Sequence, residues 1–106
     1  MQFLIITKPT SPAPPEMFGP LLDAMTAWLA QGREDGTLQA AWSFAGTQGG
    51  GGIADVESHE RLDEIMAGFP FAPFSSIEIY PLADLDRSLA ANRAVMEQMM
   101  SMMGPQ

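Results

Sequence analysis

Glu78 and Tyr80 stand two residues apart in Ser76-Ile77-Glu78-Ile79-Tyr80, alternating with two isoleucines. In an extended segment that spacing puts both polar groups on one face of a sheet. If the face is covered, Glu78 is desolvated, which suits a carboxylate to work as a general acid or base. Tyr80 then becomes a hydrogen-bond donor for a developing enolate oxygen. If the face is open, the same pair is a solvated surface feature.

A second candidate is Thr47-Gln48-Gly49-Gly50-Gly51-Gly52. Each glycine in a strand costs roughly 0.5–1 kcal/mol against alanine. Four in a row therefore imply either a flexible hairpin or a place where backbone must approach something closely. In the second case Gly50, Gly51 and Gly52 floor a cavity cleared of side chains, and Thr47 and Gln48 orient a ligand carbonyl. Trp42 and Phe44, two apart just upstream, are pocket walls or plain core. A phosphate cradle fits less well. Such loops lead into a helix and often carry lysine, whereas this one leads into Ile53-Ala54-Asp55-Val56.

Asp55, Glu57 and His59 have the spacing of a metal or proton-sharing set only if the chain stays extended through Ser58. Ser58 is a good helix N-cap, which breaks that alignment and places His59 in an exposed first turn. No metal site is expected. Met96, Met99, Met100, Met102 and Met103 suit an oligomer contact or a lid over an apolar pocket. Soft-metal binding by thioethers ordinarily adds Cys or more His, and the chain has no cysteine and one histidine.

These residues need elements to hold them. Phe3-Leu4-Ile5-Ile6-Thr7 reads as a strand buried on both faces. The proline-rich Lys8–Glu16 segment is a stiff connection. Met17, Phe18, Leu21, Leu22, Met25, Trp28 and Leu29 follow a helical period. That helix either kinks at Gly19-Pro20 or begins its regular part at Pro20, and Gly32 and Gly36 end it. Strands are expected at 37–45 and 53–56. A short helix follows, capped by Ser58, with Leu62, Ile65 and Met66 as its apolar stripe. Phe69, Phe71 and Phe74 make a stiff corner with Pro70 and Pro73. Ser76–Tyr80 is a fourth strand, stopped by Pro81. A last helix starts near Asp84 and is closed by Gly104-Pro105. The order β-α-β-β-α-β is the split βαβ, or ferredoxin-like, arrangement: an α+β antiparallel sheet with helices on one face and an added C-terminal helix. The other face also carries apolar side chains, so a second subunit is expected to close on it and form a dimeric α+β barrel.

At 106 residues the chain fits one domain. Residues 1–83 form the barrel subunit, and residues 84–106 a Met-rich helix packed on it or on a partner. The formal net charge is −8, with five Lys+Arg against thirteen Asp+Glu. Nucleic acid and anionic membranes would be repelled. The expected partners are a small apolar molecule and further copies of the chain. The lack of cysteine excludes disulfides and thiol nucleophiles and suits a cytoplasmic setting.

From Trp42 to Ile79 the pattern is specific. Trp42, Ala45-Gly46, Asp55-Val56, Phe69-Pro70-Phe71-Ala72-Pro73 and Ile77-Glu78-Ile79 stand in an order and spacing that resembles the muconolactone isomerase family. The resemblance covers about a third of the chain. It implies a ferredoxin-like subunit, barrel dimers or larger rings, and an acid–base isomerase ancestry. The departure is in the pocket. Thr47–Gly52 stands where the family's isomerases place bulky and ionisable residues, and Ser43 where an arginine is expected. The expected function is therefore a cofactor-independent isomerase or cyclase acting on a small apolar carbonyl compound. Glu78 would be its base, with Tyr80 and Gln48 as polar partners. A cofactor-free monooxygenase and a non-catalytic ligand-binding or accessory subunit are the alternatives.

Overall fold

In a computed structural model, residues 1–104 are described; Pro105, expected to help close the last helix, and Gln106 lie outside them. The strands are β1 (Gln2–Pro9), β2 (Leu38–Ser43), β3 (Gly50–Asp55) and β4 (Ser75–Leu82). The helices are α1 (Phe18–Glu34), α2 (His59–Ala67) and α3 (Leu85–Met102), with short 3-10 turns at Pro15–Met17 and Ala72–Phe74. The sheet order is β2-β3-β1-β4, antiparallel throughout. This is the ferredoxin-like α+β fold expected from the sequence.

Local chemistry sets most boundaries. The Ser58 hydroxyl accepts from the Arg61 N–H at 3.1 Å, and the Asp84 carboxylate from the Arg87 N–H at 3.0 Å, so both helices carry side-chain N-caps. Pro20 sits in the first turn of α1, where its missing N–H costs nothing. Gly32 does not end that helix, which runs on to Glu34. Pro81 does not end β4 either. It lies opposite Phe3 on an edge strand, where a missing donor is tolerated. The glycine run is split: Gly49 ends the β2–β3 connection, while Gly50, Gly51 and Gly52 begin β3.

Alternation then sorts side chains to two faces. Phe3, Ile5 and Thr7 pair with Ala54, Gly52 and Gly50 on the helix-covered face. Phe3, Ile5, Ala54 and Val56 pack there with Leu62, Met66 and Phe69 as the buried core. Trp28 ties α1 to α2, its indole N–H donating to the Ile65 carbonyl at 3.2 Å. The outer face carries Leu4, Ile6 and Ile53, half-buried, with Trp42, Tyr80 and Leu82 exposed. α3 leaves the body altogether. Every residue of it except Ser88 is exposed, and the chain extends over 71 × 29 × 23 Å.

Candidate active site

The principal cavity lies between α1 and the helix-facing side of the sheet. Its volume of about 820 Å³ is within the range of small-molecule sites. Phe18, Leu22, Met25, Leu29 and Arg33 recur at helical spacing and form one wall. No residue of α1 is buried, so the helix stands over the sheet without sealing it. Ile5, Thr7, Gly50 and Gly52 contribute the floor, and Phe69, Phe71 and Phe74 an aromatic end. Arg33 is the single ionisable residue of the lining, and among the described residues it forms no ion pair.

The glycines have a definite reason to be there. Gly49 has φ of +107°, the left-handed region that favours glycine, and its carbonyl accepts from the Phe44 N–H at 3.0 Å to close the turn. A Cβ on Gly52 would stand 2.7 Å from the Ala40 carbonyl oxygen and 3.2 Å from a Leu38 methyl. The close approach is thus made by the neighbouring strand, and the absent side chain also leaves floor space in the groove. Gly50–Gly52 is regular strand, not the flexible hairpin that the run alone allowed.

The outer face holds the other candidates. Glu78 and Gly51 both stand opposite Ile6, and Gly51 opposite Trp42, so Glu78, Ile6, Gly51 and Trp42 form one row across the four strands. Tyr80 is in the next row, opposite Leu4. Its hydroxyl donates to the Glu78 carboxylate. That bond, then the nearby negative charge, holds the phenol above its ordinary value. Both side chains are exposed in the single chain.

The residues singled out in the sequence therefore fall into two groups. Gln48, Gly50, Gly51, Gly52 and Trp42 all line the groove, Gly51 and Trp42 from strand positions whose side-chain direction is the opposite face, and the Phe44 ring lies beside Gly49 at its margin. Glu78, Tyr80 and the Trp42 side chain belong to the opposite face, so Gln48 does not meet the Glu78–Tyr80 pair. Thr47 is exposed in the connecting turn. Asp55 accepts from the Gln39 amide at 3.1 Å, and His59 meets the Phe3 ring edge-on at 5.7 Å. Arg33 is the functional candidate that the sequence pattern left unmarked. The stripe Phe18, Leu22, Met25, Leu29 continues to it at the next helical step, and only the glycine at 32 interrupted the count.

Comparison with known proteins rests on these same elements. The model of the family described as muconolactone delta-isomerase matches residues 1–87. No curated protein matches the sequence. Among solved structures, a muconolactone isomerase superposes with a TM-score of 0.73 at 23% identity, covering 79% of this chain and 90% of that one. The 5-chloro-2-hydroxyhydroquinone dehydrochlorinase of Burkholderia phenoliruptrix AC1100, in complex with 2,5-dihydroxybenzoquinone, gives 0.59 at 19% identity, covering 82% and 98%. With the match running from β1 through β4, the chain belongs to the muconolactone delta-isomerase family.

Proposed function

We propose that the chain is a cofactor-independent isomerase or cyclase that takes a small, mostly apolar carbonyl compound bearing one carboxylate into the groove beneath α1. The observation that supports this is Arg33, a lone guanidinium on an apolar cavity of small-molecule size. Its planar fork matches a carboxylate, and as Arg33 is exposed it would meet that group at the water-facing side of the groove. Among the described residues no carboxylate lines the groove, so its chemistry leans on shape and carbonyl polarisation. The cavity holds a reactive conformer, and the Gln48 amide donates to the carbonyl oxygen. In ring closure the nucleophile bonds to the carbonyl carbon, the π electrons move to oxygen, and that oxygen is protonated. The nucleophile's own proton passes to solvent, so nothing is oxidised or reduced. Family membership supports rearrangement over oxygen chemistry.

A second placement has its own observation, the Tyr80–Glu78 hydrogen bond. With the outer face covered by a second copy's sheet, Glu78 would remove a proton beside the carbonyl and Tyr80 would hold the enolate oxygen. Arg33→Gln and Glu78→Gln, assayed on unsaturated lactone and keto acids by calorimetry and turnover, separate the two. On the groove reading, Arg33→Gln weakens binding by about ten- to a hundredfold through loss of a charged hydrogen bond, and Glu78→Gln changes little. The reverse result moves the substrate to the outer face. Binding without conversion in the unaltered protein makes the chain an accessory binder.

A further inference from the structure

α3 lies almost wholly beyond the family match, which ends at residue 87, and among the described residues all of it but Ser88 is exposed. An unsupported helix of 18 residues is near the limit of stability in water. Its apolar residues are nonetheless ordered. Leu85, Leu89, Met96, Met99 and Met103, with Asn92 at the one polar step, recur at alternating spacings of four and three. That is the heptad seam of a paired helix, with Leu85, Asn92 and Met99 in one set of core positions and Leu89, Met96 and Met103 in the other. Leu89 is 56% exposed and Met103 73%, so the stripe is open to water along its length.

We propose that α3 pairs, in parallel, with α3 of a second copy of the chain. Two features favour a copy of itself and that direction. In a parallel pair Asn92 faces Asn92 of the second copy, and the two amides can bond each other within the seam. In an antiparallel pair Asn92 would face a methionine. Beside the seam, the parallel arrangement sets Arg93 against Ser88 of the second copy and Val95 against Met100 of the second copy. The antiparallel one would bring the two Arg93 guanidiniums together. Arg93 is held by Glu97 of its own helix at 3.2 Å, which keeps it off the seam. With about 100 Å² of apolar surface for each leucine or methionine, the five such residues of the seam cover roughly 1,000 Å² over the two copies, about the least that a specific interface buries.

The test uses the full chain, which has no cysteine of its own. Met99→Cys places a thiol in the seam, and Ala94→Cys places one on the opposite side of the same helix. Neither touches the sheet, so an unchanged melting temperature certifies both. Under mild oxidation Met99→Cys is expected to form a disulfide dimer about tenfold faster than Ala94→Cys, since only seam residues bring two Cβ atoms within bonding reach. Equal rates, or none, overturn the proposal. A mixture of Leu89→Cys and Met99→Cys that cross-links to each other in preference to themselves overturns the parallel direction. A Met99→Cys chain that stays monomeric but gains helix on phosphatidylglycerol vesicles makes a lipid surface the occupant and overturns the pairing.

Discussion

The two faces of this sheet are written by alternate residues of the same four strands, yet they differ in kind. On the helix-covered face Phe3, Ile5, Ala54 and Val56 are buried, and the open end becomes a groove with one positive charge. On the outer face Leu4, Ile6 and Ile53 are only half-buried, and the polar groups include a carboxylate and a phenol bonded to each other. Residues adjacent in a strand cannot cooperate across the sheet. Gly51 and Gly52 are neighbours in the chain but serve opposite faces. Any account of catalysis must choose a face, and the choice has measurable consequences.

The largest consequence is in stability. Phe3→Ala empties a core position that is 4% exposed and should cost about 3–5 kcal/mol in urea denaturation. Leu4→Ala, one residue on, should cost about half as much in the isolated chain, where its surroundings are half solvent. If a second sheet covers the outer face, the Leu4 penalty rises towards that of Phe3 and depends on protein concentration. A Leu4→Ala penalty that is small and independent of concentration would show that the outer face stays wet.

Much of this contrast was readable in the sequence, and the unreadable part has a physical cause. The element order, the Ser58 cap, the helix start near Asp84 and the Phe-Pro corner all follow from local chemistry. The in-or-out sense of β1 does not, because Phe3-Leu4-Ile5-Ile6 is apolar at every position and alternation leaves no mark. The facing of Glu78 follows from the β1–β4 register, which no local signal contains. Pro81 looked like a strand end because its tolerance depends on β4 lying at the edge. Arg33 was missed for a similar reason: Gly32 reads as a stop, but it is needed where α1 passes β2. A Cβ there would lie 3.0 Å from that of Leu38.

An intermediate effect distinguishes the two glycines. Gly51→Ala and Gly52→Ala each drive a methyl to 2.7 Å from a neighbouring strand's carbonyl oxygen. Each should cost about 1–3 kcal/mol as the ladder shifts to accommodate it. Their effects on ligand binding should diverge. Only the Gly52 methyl enters the groove floor, so only Gly52→Ala should weaken a groove ligand in calorimetry. If Gly51→Ala is the variant that loses binding, the ligand lies on the outer face.

The smallest effect is the most direct, because Tyr80 is the only tyrosine in the chain. Its ionisation can be followed alone by ultraviolet absorbance as pH is raised. The hydroxyl donates to Glu78, and loss of its proton would set a phenolate beside a carboxylate. Both causes hold its pKa above the ordinary 10.0. The sign follows by linkage. With the folded value above the unfolded one, the contribution to stability is complete below the unfolded pKa and is lost as pH rises through the folded pKa. Glu78→Gln removes the charge, so the titration should move down towards 10.0. A Tyr80 midpoint that ignores Glu78→Gln would break the pair and leave Glu78 on the outer face without its hydrogen-bond partner. A midpoint that climbs further with protein concentration would mean that a second copy is drying that face, since burial of the phenol opposes its ionisation in the same direction.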